Sequence, residues 1–145
     1  SSRNARPGSP GDNTMSNDVA LALLKKLGKG FNSGDAHAVM ACVTDDFEWI
    51  LAVGPDAPHG KVVRGREAVA ATMAARAKEI PVMRFSDTEL IYAGDRVIGT
   101  YRATGRYAEG RTLDARGCDI YVIRDGKIAR KDSYWKQIAA GPAGG

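Results

Sequence analysis

Two aspartates, Asp119 and Asp132, lie in the last two predicted strands of the chain, within the stretch CDIYVIRDGKIARKDSYW (residues 118–135). The Asp125-Gly126 pair at its centre is typical of a two-residue type I′ turn, which needs positive φ at both central positions. Counting outward from this turn places the two aspartates opposite one another, where Cβ atoms of an antiparallel pair are about 4.5–5.5 Å apart. The sequence therefore predicts two neighbouring carboxyl groups on one face of a hairpin.

Two close carboxyl groups that are partly removed from water cannot both ionise easily, so one keeps a proton while its partner stays charged. Such a pair supplies an acid and a base at neutral pH, and it can move protons on a bound small molecule without a metal or a cofactor. The predicted face also carries Leu113, Tyr121, Ile123 and Ile128. Because these neighbours are largely apolar, we expect the two aspartates on the floor of a pocket.

A second predicted hairpin brings a cation to the same face. If residues 109–110 form a two-residue turn, Arg102 lies opposite Gly117 and one diagonal step from Asp119. An arginine at that distance can hold a carboxylate through two parallel hydrogen bonds and orient it. We therefore predict Asp132 and Asp119 as catalytic residues and Arg102 as the cation that orients them.

Further side chains are predicted to contact a ligand. The same register places Thr100 opposite Asp119, and a turn at residues 94–95 adds Glu89 opposite Thr100. Large aromatic faces suit a ring-shaped ligand, although aromatic residues at these positions are equally compatible with a packed core. The predicted ligand-contacting residues are Trp49, Tyr134, Tyr121, Phe31, Thr100 and Glu89.

The acidic pair depends on the length of one turn. A three-residue loop at Asp125-Gly126 would place Asp119 opposite Lys131. The pair of carboxyl groups would then be replaced by a surface ion pair, because a one-residue slip moves every side chain of a strand to the other face.

Composition restricts the class of protein. The chain has 145 residues, enough for one domain with its own core, and its 43% hydrophobic and 26% charged residues are ordinary for a globular protein. The formal charge of +4 is dispersed, which argues against nucleic-acid binding, and no apolar run approaches the roughly 20 residues of a membrane span. Two histidines in predicted surface positions make no metal site. Two cysteines without CxxC spacing favour a reducing, cytoplasmic setting.

The elements that must position these residues are helices followed by strands. Ser16 or Asn17 can cap a first helix of apolar residues at helical spacing, Gly34 can end it, and Asp35 can cap a second. Period-two patterns dominate after Pro81. This order predicts an α+β fold with helices packed on one face of a sheet. The predicted helices span residues 16–34, 36–43 and 66–79, the predicted strands span 45–53, 82–93, 96–108, 111–123 and 127–138, and residues 54–65 are predicted as a loop.

One folded domain is predicted over residues 16–139. Residues 1–15 are rich in Ser, Pro, Gly and Asn and are predicted to be a disordered tail or an expression remnant. Residues 140–145 are predicted to be a loose C-terminus.

Several stretches resemble a known family. The segments FEWILAVGP…VVRGREAVAATMAA, GDRVIGTYRATGR and RDGKIARKDSYW are similar to SnoaL-like proteins of the nuclear-transport-factor-2-like superfamily, over roughly residues 17–138. The resemblance implies a cone-shaped, bent antiparallel sheet wrapped around the N-terminal helices, with an internal pocket and a homodimer formed through the sheet. The superfamily includes polyketide cyclases, limonene epoxide hydrolases, ketosteroid isomerases and non-catalytic members.

The resemblance also implies roles for some residues. Arg102 looks like the arginine, and Asp132 like the last-strand aspartate, of the limonene epoxide hydrolases, whereas Thr104 stands where their other aspartate should be. Asp119 is similar to the protonated aspartate of the ketosteroid isomerases, whose general base falls around Leu51 here. In the polyketide cyclases an aspartate is the acid or base of an aldol closure, a role open to Asp132 or Asp119.

These observations together predict a small cofactor-independent enzyme that performs acid–base chemistry on an apolar small molecule in an enclosed pocket. Cyclisation or isomerisation is expected first and epoxide-type hydrolysis second. The alternative is a non-catalytic ligand-binding or scaffold protein of the same fold. Changing Asp119 and Asp132 to Asn separates the two, because an enzyme would lose turnover while keeping its ligand.

Overall fold

The computed structural model describes residues 16–139; the predicted tails at 1–15 and 140–145 lie outside this part of the chain. No helix within it is long and apolar enough to cross a membrane. The helices are α1 (Asn17–Ser33), α2 (Ala36–Met40) and α3 (Arg66–Glu79), and the strands are β1 (Val43–Leu51), β2 (Lys61–Arg64), β3 (Val82–Ala93), β4 (Arg96–Arg106), β5 (Thr112–Arg124) and β6 (Lys127–Trp135).

Helix α1 begins and ends, and α2 begins, where local signals predict, whereas α2 ends at Met40 and not at the predicted residue 43, since Val43 already belongs to β1. The Ser16 side chain caps α1 by accepting a hydrogen bond from the backbone N–H of Val19, at 3.2 Å. Gly34 ends the helix in the left-handed conformation, with φ of 69°, which glycine adopts without a steric cost. Asp35 then caps α2 by accepting from the N–H of Ala38, at 3.0 Å.

The six strands form one bent sheet, in the order β2-β1-β6-β5-β4-β3, which does not close into a barrel. The predicted α+β fold is confirmed. The expectation of a wholly antiparallel sheet needs one correction, because β1 runs parallel to β6 while all other neighbours are antiparallel. The loop predicted at residues 54–65 was also wrong in part, since it contains β2, whose four residues pair with the end of β1.

All three helices lie over one face of the sheet, which we call the inner face. Leu24 and Leu27 of α1 and Val69 of α3 pack in one core with Trp49 and Ile128 of the sheet. Burying a large apolar side chain contributes about 1.5–3 kcal/mol, so this cluster is the main support of the helix–sheet contact. The opposite side of the sheet is called the outer face.

The turn between β5 and β6 has the predicted length. Asp125 and Gly126 are its central residues, and their φ values of 53° and 76° are both positive, as a type I′ turn requires. Ile123 lies opposite Ile128, as predicted.

The predicted register is wrong beyond those residues. Ala129 has no partner in β5, so it forms a β-bulge that shifts the rest of β6 by one position. Asp119 therefore lies opposite Ser133, and Asp132 lies opposite Ile120. The predicted pair of neighbouring carboxyl groups does not form.

The register of β4 against β5 is shifted in the same way. The chain reverses through residues 107–111, with three residues in the turn, and the backbone N–H of Tyr107 donates to the carbonyl oxygen of Arg111 at 2.8 Å. As a result Arg102 lies opposite Arg116, and Asp119 lies opposite Gly99. A turn one residue longer than predicted is enough to place Arg102 on the outer face.

Candidate functional site

A cavity of about 920 Å³ lies between α1, α3 and the inner face of the sheet. Cavities of roughly 300–1,000 Å³ are usual for small-molecule sites. The volume therefore accommodates a ligand of several rings. The apolar part of its lining includes Leu24, Phe31, Trp49, Met73, Phe85 and Leu90.

Asp119 is the carboxylate on the floor of this cavity, and it is only 4% exposed. Its Oδ1 accepts a hydrogen bond from the Tyr101 hydroxyl at 2.7 Å. Its Oδ2 accepts from the Tyr121 hydroxyl at 3.0 Å and lies 3.1 Å from Nζ of Lys131. A buried charge is tolerated only when it is paired and hydrogen-bonded, and these three donors meet that condition.

A glycine makes room for this arrangement. Gly117 lies opposite Tyr101 in β4 and opposite Trp135 in β6. A Cβ atom at Gly117 would lie 2.7 Å from Cδ1 of Trp135 and 3.1 Å from Cε1 of Tyr101, closer than side chains tolerate. Without that atom, Trp135 can donate from Nε1 to the Tyr101 hydroxyl at 2.9 Å while Tyr101 donates to Asp119.

Lys131 is a buried cation with aromatic neighbours. Its Nζ lies 5.0 Å from the ring centroid of Phe31 and 5.8 Å from that of Trp49, within the range of cation–π attraction. It also donates to Oγ of Ser133 at 3.3 Å. Burial lowers the pKa of Lys131, a shift that the charge of Asp119 opposes.

The two tyrosines of the floor are held in the neutral form. Burial, and after it the negative charge of Asp119, raises the pKa of Tyr101 well above its ordinary value. The same two causes, in the same order, raise the pKa of Tyr121. Both hydroxyls are therefore hydrogen-bond donors at neutral pH, in a site with limited access to water.

Arg76 of α3 is a second cation in the cavity wall. Its guanidinium carbon lies 5.0 Å from the ring centroid of Trp135 and 5.8 Å from that of Trp49. Within residues 16–139 its side chain makes no hydrogen bond and no ion pair. Burial lowers the pKa of Arg76, and the nearby Tyr101 and Asp119 oppose that shift.

Four of the predicted site residues line the cavity: Asp119, Trp49, Tyr121 and Phe31. The other five belong to the outer face. Arg102 does form the predicted two-bond contact with a carboxylate, but its partner is Asp114, with Nε–Oδ1 and Nη2–Oδ2 distances of 2.8 and 2.7 Å. Both side chains of this pair are about half exposed, so it is a surface ion pair.

Asp132 and its neighbours also face away from the cavity. The hydroxyl of Tyr134, a residue 54% exposed, donates to Oδ2 of Asp132 at 3.2 Å. Glu89 lies opposite Thr100, as predicted, but this pair shares the outer face with Asp132. The period-two alternation of a strand makes all these misplacements consequences of the two register shifts.

The structure does contain an ion pair between Asp119 and Lys131, the pair predicted for a three-residue loop at Asp125-Gly126. It forms through the bulge at Ala129, which places Lys131 opposite Tyr121 and next to Asp119 on the inner face. It is buried instead of exposed at the surface, with both side chains at most 10% exposed.

Tyr101, Lys131 and Arg76 were not among the predicted site residues. Arg76 carried a signal that could have identified it, because it continues the buried stripe of α3 at helical spacing. The buried residues of that stripe are Val69, Thr72 and Met73, half-buried Arg76 follows them, and the capping residue Ile80 is buried again. A charged residue on an otherwise buried helix face indicates a partner or a ligand.

The family model described as "SnoaL-like domain" matches residues 25–131. An NTF2-like protein from Burkholderia xenovorans is 24% identical, with a TM-score of 0.70, over 84% of this chain and 92% of that one. A proposed polyketide cyclase from Xanthomonas campestris is 25% identical, with a TM-score of 0.71, over 82% and 91%. A proposed isomerase from Bacillus subtilis is 20% identical, with a TM-score of 0.69, over 82% and 87%. No curated protein matches the chain.

Proposed function

The chain belongs to the SnoaL-like domain family, and from this premise we propose that it is a cofactor-independent enzyme of acid–base chemistry on a small apolar molecule. One observation carries the proposal: a buried Asp119–Lys131 ion pair lies on the floor of an apolar cavity of about 920 Å³, and two neutral tyrosines donate hydrogen bonds to its carboxylate. Cyclisation or isomerisation of a carbonyl compound is the reaction favoured. The Xanthomonas relative, a proposed polyketide cyclase, supports that choice.

Asp119 is the proposed base. A carboxylate offers about four lone-pair sites, and three donors occupy three of those on Asp119, so one remains for a substrate proton. In the proposed step, Asp119 takes the proton from a carbon next to a carbonyl group. The electron pair of that C–H bond becomes the C=C bond of an enolate, and the π pair of the carbonyl group moves to its oxygen. The Lys131 ammonium stabilises the oxyanion that forms, because Asp119 and Ser133 engage two of its three N–H donors and one remains.

Two reactions can follow from this enolate. Return of the proton from Asp119 to a different carbon isomerises the substrate. Attack of the enolate carbon on a second carbonyl closes a ring, and the new alkoxide takes the proton. Epoxide-type hydrolysis is not favoured, because the two residues matched to those hydrolases, Arg102 and Asp132, lie on the outer face.

Proton exchange tests this proposal without the natural substrate. In D₂O, the wild-type protein is expected to speed deuterium incorporation next to the carbonyl of 2-tetralone or of a cyclic 1,3-diketone, followed by NMR. Asp119→Asn should reduce the rate about 100-fold or more, the usual contribution of a general base. Asp132→Asn is the matched control and should keep the wild-type rate. No acceleration of either compound, or a fully active Asp119→Asn, would contradict the proposal.

A second candidate function is ligand binding without chemistry. Asp119 already accepts contacts from three donors, which restricts its ability to take a proton from a substrate; this observation favours ligand binding. A binding protein would take up the same ketones in calorimetry while leaving their exchange rate unchanged, in the wild type and in both variants.

We also propose, from the resemblance alone, that the protein forms a homodimer. A cytoplasmic location is proposed because both cysteines, Cys42 and Cys118, are free thiols. Sedimentation equilibrium measures the first, and a single species of monomer mass at micromolar concentration would contradict it.

A further inference from the structure

The cavity holds more positive than negative charge. Among the lining residues within 16–139, Asp119 is the one acidic side chain, whereas the cationic ones are Lys25, Lys29, Arg76 and Lys131. Walls of low polarity weaken the screening of these charges by water, so the excess positive charge acts on whatever enters the cavity.

The positive charges are not equally available. Lys131 forms an ion pair with Asp119 at 3.1 Å, so each of these charges already has a partner of opposite sign. Arg76 has no such partner among residues 16–139, although the nearby indole rings of Trp49 and Trp135 remove part of its surface from water. A guanidinium in that situation costs free energy until an anion pairs with it.

Two lysines extend the positive charge to the opening of the cavity. Lys25 and Lys29 are exposed, lie one turn apart on α1 and line the cavity. Neither forms an ion pair within the described part of the chain. Charges placed in this way attract anions toward a site and raise their rate of association.

We infer that the ligand of this cavity is an organic anion, with a carboxylate bound by Arg76 and an apolar ring system held against the aromatic wall. A guanidinium offers a planar fork of N–H donors that matches a carboxylate in two parallel hydrogen bonds. Arg76 already lies in cation–π contact with two rings, at 5.0 and 5.8 Å, so less ordering is needed when the anion binds than for a free surface arginine. This inference rests on the proposed ligand cavity and deepens it by naming the substrate class.

Calorimetry with two compounds of the same shape tests the inference. The probes are 2-naphthoate and 2-naphthamide, which share the ring system and differ in the charge of one group. We expect the wild type to bind the carboxylate at least about tenfold more tightly, the usual effect of a hydrogen-bonded charge. Equal affinities contradict the inference. Failure to bind naphthoate at millimolar concentration also contradicts it, because the cavity is large enough for two rings.

Three variants assign the preference to its residue. Arg76→Gln should bring the two affinities to within about twofold by weakening naphthoate alone, and its unchanged affinity for naphthamide shows that the cavity is folded. Arg76→Lys should keep part of the preference, since it keeps the charge and loses the fork. Arg84→Gln is the matched control, because Arg84 is exposed on the outer face of β3. A preference that survives Arg76→Gln overturns the assignment.

These results are distinguishable from those of the proton-exchange experiment. In neither naphthalene compound does the carbon next to the carbonyl group carry a hydrogen, so no enolate can form and their binding does not depend on Asp119 as a base. A protein that prefers naphthoate but exchanges no ketone protons would keep this inference and lose the proposed enzyme. The opposite pair of results would keep the enzyme and lose the anionic ligand.

Discussion

Nζ of Lys131 lies 3.1 Å from Oδ2 of Asp119, and neither side chain is more than 10% exposed. The Arg102–Asp114 pair on the outer face is shorter, at 2.7 Å, but both of its side chains are about half exposed. Distance alone therefore does not rank the two ion pairs. Water solvates either partner of the exposed pair when the other is removed, whereas it solvates the buried pair only weakly.

Removal of the buried cation should be costly. Lys131→Met leaves Asp119 charged and without its cation, and we expect a loss of about 3–5 kcal/mol in the free energy of unfolding, measured in urea. Adding Asp119→Asn should recover part of this loss, because a neutral amide needs no cation. Arg102→Met is the control, and it should hardly move the urea midpoint. Equal effects of Lys131→Met and Arg102→Met would show that the pair is not buried in solution.

Alkaline pH should destabilise the protein through its two buried tyrosines. Burial and the charge of Asp119 raise the pKa of Tyr101 and of Tyr121 in the folded state. Above about pH 10, the unfolded chain releases these protons while the folded state retains them. The free energy of unfolding should therefore fall as the pH rises, by up to about 1.4 kcal/mol per pH unit for each tyrosine.

Tyrosinate absorbance measures the same effect directly. Of the five tyrosines, Tyr101 and Tyr121 should ionise only when the protein unfolds. Tyr121→Phe should reduce the slope of stability against pH, because one of the two retained protons is then missing. Tyr134→Phe should reduce the slope by less, because Tyr134 is exposed and only the charge of Asp132, with the hydrogen bond between them, raises its pKa appreciably. Ionisation of all five tyrosines in the folded protein would contradict this prediction.

Two Gly→Ala changes should have effects of opposite sign. At Gly117 the new methyl group would lie 2.7 Å from Cδ1 of Trp135 and 2.8 Å from the carbonyl oxygen of Tyr134, so we expect a loss of about 1–3 kcal/mol from overpacking. At Gly28, inside α1, a Cβ atom meets nothing within 4 Å, and alanine should stabilise the helix by about 0.5–1 kcal/mol. Thermal unfolding measures both. A Gly117→Ala variant that is as stable as the wild type would show that the strand can open there without cost.

Local signals were sufficient for much of the fold. The caps at Ser16, Gly34 and Asp35 and the turn at Asp125-Gly126 follow from the conformational preferences of a few adjacent residues, and each lies where it was predicted. The family resemblance, which depends on the same local patterns, is confirmed by the family match over residues 25–131.

The composition of the candidate site depends on strand register, which these local signals do not specify. Whether Asp119 meets Asp132 or Lys131 depends on one unpaired residue, Ala129, and whether Arg102 reaches the cavity depends on one extra residue in the turn at 107–111. The residues next to these positions contain no pattern that predicts either shift.

The sequence by itself determined that a carboxylate would be buried in the last hairpin, beneath helices and among aromatic rings, because hydrophobic periodicity and turn chemistry are local. Only the tertiary structure decided which cation accompanies that carboxylate. Side chains alternate between the two faces of a strand, so a shift of one residue exchanges the whole set. In the folded sheet β6 lies between β1 and β5, and its shifted register buries Lys131 and leaves Asp132 on the outer face.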